Sequence, residues 1–520
     1  MEARRGRDVP KAVAPLASPA MQLAAAALLS AALMWLSFPP VNVGFLVFVA
    51  PVPFLWALRR AKTRREATRV GLIYGFAFFG GMLWWIFLLG AVAWVPLVST
   101  LAVYVAGYAL LMFVVRLWSP VLWWVVAVGG WAAFEFLRSR WPLGGFPWGA
   151  AGFPIGTIPG ARGAAQWIGG TGWGVLVIAF AAAVVLLVEE EPDRRPLEVT
   201  TALIVVLSAL GLLLAPDAAG TTVRVAIVQG SSPCPREHCE GEKQLIYESH
   251  LALTRSIAAG SADLVVWAED SFGGSFNPTF NPEVAAQMGS EAVRLGAYLL
   301  AGGSRSAGAA NWDNYNVLFA PDGSIVGEYL KRHPVPFGEF VPMRDLLKFI
   351  PQLDQVPRDL RRGEGPVVFP LAIGDGSVLL GSVISFEGAF PRYLRSEVLA
   401  GAQVLVVATN EGSYGRGPAS DQLIGMVRLN AAALGVDVVH AAVTGHSTLI
   451  RADGSLGPTK TGLFTGEILQ GTVSTQESRR TLYVVTGDWL ELAAMAAAGL
   501  ALVIGWRHPR DFRIRPLARR

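Results

Sequence analysis

Apolar runs of eighteen residues or more, each able to cross roughly 30 Å of hydrocarbon as a helix, fill the first 216 residues of this 520-residue chain and return once, near Leu490 to Trp506. That distribution excludes a soluble globular protein and predicts a membrane bundle carrying one large polar insert. Seven spans are expected before the insert, near 21–37, 42–58, 70–92, 94–115, 119–137, 165–188 and 198–215, and an eighth at about 489–506. The first is not a cleavable leader on this reading, because Ser37-Phe38-Pro39-Pro40 lacks small residues for cleavage and more spans follow. The plan is a cytoplasmic tail over 1–20, seven helices over 21–217, a polar domain over 221–486, the eighth helix over 489–506 and a basic tail over 507–520.

Basic residues beside short loops stay cytoplasmic, and their distribution sets the orientation. Arg4, Arg5, Arg7 and Lys11 precede the first span, Arg59, Arg60, Lys62, Arg64, Arg65 and Arg69 follow the second, and six arginines end the chain. Eight spans put all three groups on one side and turn the polar domain outward. Arg138 and Arg140 then fall on the outer side against the rule, which predicts a structural or ligand role for that loop. With 16% charged residues and a net charge of +4, the positive balance reads as membrane anchoring, and nucleic acid is not an expected partner.

The two cysteines, Cys234 and Cys239, share one short loop of the outward domain. An extracytoplasmic setting permits a disulfide between them if the loop ends approach. A metal site with His238 is the weaker alternative, since no second ligand cluster accompanies it, and neither cysteine sits where a nucleophile is expected.

From Thr222 the pattern changes to short Val, Ile and Leu runs bounded by Gly, Pro and Asp: Arg224 to Gln229, Leu264 to Trp267, Tyr298 to Gly302, Tyr315 to Phe319, Val378 to Ser385, Val404 to Ala408 and Val438 to Val443. Helical stretches alternate with them at Glu242 to Ala259, Pro282 to Leu295, Pro391 to Ala400 and Asp421 to Leu434. This is α/β construction around a largely buried sheet, and Asp322-Gly323 and Asp453-Gly454 predict hairpin turns. Chemistry in such sheets gathers at strand ends. Glu269, Ser385 and Asn410 lie at such ends, and Lys331 follows Tyr329-Leu330. A carboxylate, an ammonium and a nucleophile slot so placed form an acyl-transfer triad.

The segment from Lys331 to Pro342, reading Lys331-Arg332-His333-Pro334-Val335-Pro336-Phe337-Gly338-Glu339-Phe340-Val341-Pro342, resembles the lysine motif of apolipoprotein N-acyltransferases, the membrane-bound branch of the nitrilase (carbon-nitrogen hydrolase) superfamily. Ser385-Phe386-Glu387, Asn410, Tyr315-Asn316, the run Thr481 to Trp489, Ser37 to Pro40, Glu135 to Arg138 and Gly145-Phe146-Pro147-Trp148 extend the likeness over nearly the whole chain. The resemblance implies a bundle of about eight transmembrane helices carrying an extracytoplasmic α-β-β-α sandwich. It implies two steps at the outer face of the inner membrane: an acyl chain leaves a phospholipid for the enzyme, then passes to the N-terminal amine of a diacylglyceryl-cysteine lipoprotein. No cofactor or metal is expected.

Within that reading Glu269 is the general base and Lys331 supplies positive charge where the oxyanion develops. Glu339 helps hold the site, Glu387 orients its neighbours from the same sheet face by strand period, and Asn410 fixes hydrogen bonds. Trp148, Phe146, Trp267 and Tyr414 are candidate walls for acyl chains, with ordinary packing the competing role. Ser385 stands where the family carries cysteine. A hydroxyl needs stronger base assistance than a thiol, so reduced or lost turnover is expected, either in a chain substituted to trap a complex or in a natural serine-bearing relative. Trp267-Ala268-Glu269-Asp270, Glu411 to Gly415 and Asn430 to Ala433 depart from the family pattern too and favour the natural relative. The alternatives to an active acyltransferase are a non-catalytic homologue that binds lipid or lipoprotein and assists an active enzyme, and a membrane-tethered amidase.

Overall fold

The computed structural model describes residues 18–189, 191, 193–217, 219–234, 239–475 and 480–507. His238, the first seventeen residues and the last thirteen, with most of the expected tails, lie outside the described residues. The membrane part comprises α1 (Pro19–Ser37), α2 (Pro51–Arg60), α3 (Arg64–Met82), α4 (Ala91–Val115), α5 (Pro120–Arg138), the short α6 (Pro159–Gly163), α7 (Ala165–Val188) and α8 (Arg195–Leu213). Among the described residues six helices are long and apolar enough to cross a bilayer: α1, α4, α5, α7, α8 and a C-terminal helix Trp489–Arg507.

The stretch expected to span at 42–58 is not one helix. It is a 3-10 turn, Gly44–Phe48, followed by the ten-residue α2, whose start carries Pro51 and Pro53, residues that cannot donate to a preceding turn. The stretch expected at 70–92 begins earlier, at Arg64, stops at Met82 and turns through a second 3-10 segment, Trp84–Leu89. Small residues let these helices close on one another. Gly71 and Gly75 of α3 meet Ala102, Ala106 and Ala109 of α4, and Gly129 of α5 meets Ala494 and Ala498 of the C-terminal helix.

The polar region folds as two stacked sheets. In chain order its elements are β1 (Thr222–Gln229), α9 (Glu242–Arg255), β2 (Leu264–Trp267), α10 (Pro282–Leu295), β3 (Tyr298–Ser306), β4 (Asn311–Phe319), β5 (Ile325–Leu330), α11 (Arg344–Leu347), β6 (Asp359–Leu360) and β7 (Val368–Ile373). There follow β8 (Gly376–Ile384), α12 (Pro391–Leu399), β9 (Val404–Thr409), α13 (Ala419–Leu434), β10 (Asp437–Ala442), β11 (Thr448–Ile450), β12 (Leu456–Lys460), β13 (Glu467–Ser474), α14 (Leu482–Thr486) and α15 (Trp489–Arg507). One sheet runs β13-β1-β2-β3-β4-β5 with β6 beside β4, and the other runs β12-β11-β10-β9-β8-β7. Strands β1 to β3 are parallel, as are β8 to β10. Both predicted hairpins form, β4 to β5 around Asp322-Gly323 and β11 to β12 around Asp453-Gly454.

Strand alternation builds the layers. Ile227, Val266 and Leu300 of the first sheet face Leu380, Val406 and Val439 of the second. The other face of the first sheet, with Val265 and Leu299, packs on Tyr247 and Leu251 of α9 and Met288 of α10. The outer face of the second sheet, with Val383 and Val407, packs on Leu394 of α12 and Leu423 and Val427 of α13, and that core runs on into the membrane bundle. The result is an α-β-β-α sandwich whose α12 and α13 rest on the bundle.

Arg59, at the end of α2, pairs with Glu189 and, at 2.9 Å, with Glu191 beyond α7. This marks one end of the bundle, and the sandwich meets the other. Trp85 Nε1 donates to Gln422 Oε1 at 3.0 Å, and Arg392 donates to Ser139 O at 2.9 Å and Gly144 O at 2.8 Å. Arg138 and Arg140, at the end of the bundle that meets the sandwich, are structural. Arg138 is buried and donates to Phe146 O at 2.8 Å and Trp148 O at 2.6 Å, while Arg140 pairs with Asp488 at 3.1 Å.

Candidate active site

Four strand ends converge on the seam between the sheets. Glu269 follows β2, Lys331 follows β5, Ser385 follows β8 and Asn410 follows β9. Lys331 Nζ lies 3.1 Å from Glu269 Oε1 and 2.6 Å from Glu339 Oε1, and the lysine and Glu269 are both buried. Asn314 Nδ2, from β4, donates to Glu269 Oε1 at 2.7 Å, and the Asn410 backbone N–H donates to Oε2 at 2.7 Å. Glu339 is pinned in turn by the Val335 N–H at 2.7 Å, so both carboxylates and the ammonium are fixed before any ligand arrives.

Burial pushes the Glu269 carboxyl up. The Lys331 ammonium opposes the rise, and the Asp270 and Glu339 carboxylates add to it. Burial alone would discharge Lys331, but Glu269 and Glu339 outweigh it and hold the group above the ordinary lysine value. Burial, with the two neighbouring carboxylates adding to it, gives Glu269 the proton affinity a base needs.

Ser385 stands partly exposed where β8 breaks into a 3-10 turn, Ser385–Ala389, and its φ is +51°. Asp270 (φ +60°), next to Glu269, and Phe337 (φ +63°), two residues before Glu339, are also left-handed. Such strain in non-glycine residues collects where a side chain must be aimed. Thr409 Oγ1, at the end of β9, donates to Ser385 Oγ at 3.3 Å. The next residue, Asn410, anchors Glu269, so nucleophile and base are registered by neighbouring residues of one strand end.

Glu387 does not follow the strand period, because the chain leaves the strand at Ile384. Its buried carboxylate accepts four bonds: from Tyr329 OH at 2.7 Å, Ile384 N at 2.8 Å, Arg332 N at 2.6 Å and His333 N at 2.9 Å. It fastens the lysine segment to the nucleophile turn. Asn410 Nδ2 donates to Asp270 Oδ2 at 3.1 Å, and Lys243 Nζ of α9 pairs with Asp270 Oδ1 at 3.4 Å.

Aromatic rings lead from the nucleophile turn into the bundle. Phe386 stacks on Trp148 at 5.7 Å and lies 6.0 Å from Phe146; Trp148 lies 6.3 Å from Trp85, which meets Tyr414 edge-on at 4.6 Å. Trp148, Phe146 and Tyr414 thus share one wall. Trp267 does not join them. It lies on the helix-facing side of β2, fully buried, 6.0 Å from Tyr247 and bonded through Nε1 to Thr254 Oγ1 at 2.8 Å, so it is a core residue. Cys234 and Cys239 are joined in a disulfide, and no group of metal-binding side chains occurs among the described residues.

Sequence reasoning did not single out Asn314, Thr409, Lys243, Tyr329 or Trp85. For Asn314 a signal existed, since Asp313-Asn314-Tyr315-Asn316 is a polar run inside a buried strand. Thr409 and Tyr329 lie beside Asn410 and Lys331 in sequence but carry no pattern that marks them, and Lys243 and Trp85 are brought in by distant segments.

Comparison with known proteins matches the apolipoprotein N-acyltransferase N-terminal domain over residues 30–183 and carbon-nitrogen hydrolase over residues 224–483. An apolipoprotein N-acyltransferase of Geobacter metallireducens is 30% identical, covering 92% of this chain and 95% of the relative. One of Sinorhizobium medicae is 32% identical over 85% of each. Among solved structures, a carbon-nitrogen hydrolase from Helicobacter pylori G27 aligns with a TM-score of 0.35 and 18% identity, covering 56% of this chain and 94% of that one.

Proposed function

The chain belongs to the apolipoprotein N-acyltransferase family and is a membrane-embedded N-acyltransferase, and from that premise we propose how its own residues divide the reaction. Ser385 Oγ attacks the ester carbonyl of a phospholipid acyl chain while Glu269 takes the hydroxyl proton. The oxyanion forms beside the Lys331 ammonium. Its collapse breaks the ester C–O bond, the lysophospholipid leaves with the proton held by Glu269, and the acyl group remains on Ser385 as an ester.

In the second half the α-amine of a diacylglyceryl-cysteine attacks that ester. Glu269 takes the amine proton and returns it to Ser385 Oγ as the C–O bond breaks, releasing the amide. Asn314 and Asn410 hold Glu269 in place for both transfers, Glu387 keeps Lys331 in register with the serine, and Phe146, Trp148 and Tyr414 wall the acyl chain. The sandwich occupies the bundle end opposite Arg59 and Arg60, which by the positive-inside rule is the outer face.

The observation that carries this reading is the buried Glu269-Lys331-Glu339 cluster beside a strained Ser385. Incubation of the protein with phospholipid vesicles, followed by intact-mass analysis, should add one acyl mass that maps to Ser385, and a diacylated lipopeptide should then discharge it as a triacylated product. No adduct under conditions where lipid is bound would instead establish the second reading that serine at this position favours, a homologue that binds lipid or lipoprotein without turning it over.

A further inference from the structure

Trp148, which stacks on Phe386 beside the nucleophile, also lines a cavity of about 60 Å³ between the bundle loops and α13. That is room for roughly four water-sized groups, too little for an acyl chain and about right for a phosphate. Asn42 and Thr157 of the bundle and Asp421 and Arg428 of α13 contribute its polar lining.

One group on this cavity lacks the partner its chemistry calls for, and a second carries no close counter-charge. Arg428 is half-buried and donates through Nε to Gly454 O at 2.9 Å, yet among the described residues no carboxylate lies within ion-pairing distance of it. The neighbouring Asp453 pairs instead with Arg162 at 3.3 Å. Nε1 of Trp148 is buried with no acceptor. The buried indole N–H carries a desolvation cost until it finds an acceptor, and one anion with several acceptor oxygens would serve it and give the guanidinium a counter-charge. Burial, with the Arg162 charge adding to it, lowers Arg428 to about 10, so it remains a cation at neutral pH. Asp421 adds a carboxylate to the same lining, held at 2.7 Å by Lys460.

We infer that this cavity is a phosphate-binding subsite that takes the headgroup phosphate of the acyl donor, with Arg428 and the Trp148 N–H on phosphate oxygens. The inference rests on the proposed function. In a glycerophospholipid the acyl ester lies a few bonds from the phosphate, so a phosphate held behind Trp148 leaves the ester on the Phe386 side, toward Ser385. The donor is then held at a place separate from the triad.

The test is lipid retention by the full-length chain in detergent, read by native mass spectrometry, which does not depend on turnover. Phosphatidylethanolamine, phosphatidylglycerol and inorganic phosphate serve as separate probes. The wild-type chain should retain both lipids. Arg428→Gln should weaken both lipids about tenfold while Arg428→Lys keeps most of the binding. Equal retention by wild type and Arg428→Gln, both with unchanged thermal midpoints, overturns the subsite. Binding of inorganic phosphate that Arg428→Gln abolishes, with lipid retention unchanged, overturns the headgroup assignment and leaves a free-phosphate site. A mass adduct on Ser385 is followed separately, so a chain that binds lipid through Arg428 but never acylates counts against the triad chemistry and not against this subsite.

Discussion

His333 lies parallel to Phe386, with ring centroids 5.3 Å apart and planes 13° from coplanar, so the segment that carries Lys331 and the turn that carries Ser385 are stacked through their adjoining residues. The imidazole is further enclosed by Phe390 at 4.5 Å and Tyr393, whose hydroxyl meets Nδ1 at 3.0 Å. His333→Ala should remove this spacer, cost about 2–4 kcal/mol of stability and lower the rate of Ser385 acylation. His333→Phe should restore most of the stability, because the stack needs a flat ring more than a base. Thermal midpoints and adduct formation measured together separate the two effects.

Lys331 balances two carboxylates, the buried Glu269 and the half-buried Glu339. Lys331→Met should leave Glu269 and Glu339 facing each other across an apolar side chain, at a cost of about 3–5 kcal/mol, and abolish acylation. Adding Glu339→Gln should recover part of the stability but none of the activity. A double-mutant cycle on unfolding midpoints reads the coupling, and additivity of the two changes would show that the ammonium and Glu339 do not interact.

Three buried histidines make the protein acid-sensitive well above the carboxylate range. Burial lowers His250 to about 4 and, helped by the nearby Arg392, His333 to about 3; burial with His446 beside it lowers His440 to about 3. The unfolded chain protonates these rings near 6.5 and the folded one does not, so their contribution to stability is complete above pH 6.5 and is lost as pH falls below it. Each should remove about 1.4 kcal/mol per pH unit over that range. Unfolding midpoints between pH 7 and pH 5 should fall steadily, and His333→Phe should reduce the slope by about a third.

The sequence places Glu269, Lys331 and Ser385 just beyond the ends of apolar strands, and the structure has them there. It misleads at Trp267 and Glu387. Trp267 precedes Glu269 by two residues, but the strand ends at Trp267, so their side chains do not share a face. Glu387 was placed by strand period although the chain has already entered a 3-10 turn. Arg138 was legible as an anomaly of sidedness, while its task of holding the Phe146 and Trp148 carbonyls was not, since that depends on how a loop folds back. The broken helix at 42–58 shows the same limit: hydropathy measures whether a segment suits the bilayer, and the prolines decide whether it crosses as one helix.

Ser385→Cys should raise the acylation rate by a factor on the order of a hundred, because a thiol beside the Lys331 ammonium ionises far more readily than a hydroxyl. The pH profile should change with it. Acylation of the serine chain should rise with pH through the elevated Glu269 titration, since the base must be ionised to act, whereas the cysteine chain should be less dependent on it. Single-turnover acylation from labelled phospholipid measures both. A cysteine chain that stays folded, binds lipid and is no faster than the serine chain would remove Ser385 from the nucleophile's role.

Gly144 joins the bundle to this site at a point where no other residue fits. Its φ is +93°, outside the range other residues adopt without strain, and a Cβ there would run into the His333 imidazole. The ring cannot step aside, since Phe386, Phe390 and Tyr393 hold three of its sides, and the loop cannot withdraw without breaking the Arg392 bonds to Ser139 O and Gly144 O. Gly144→Ala therefore carries backbone strain and an overlap together, about 2–4 kcal/mol, expressed as a shift between bundle and sandwich and not as unfolding of either. The expected signature is a drop in acylation rate larger than the drop in thermal midpoint would suggest, partly rescued by His333→Ala, which clears the space. If the double variant is no better than Gly144→Ala alone, the contact between this glycine and the imidazole is not what sets the position of the loop.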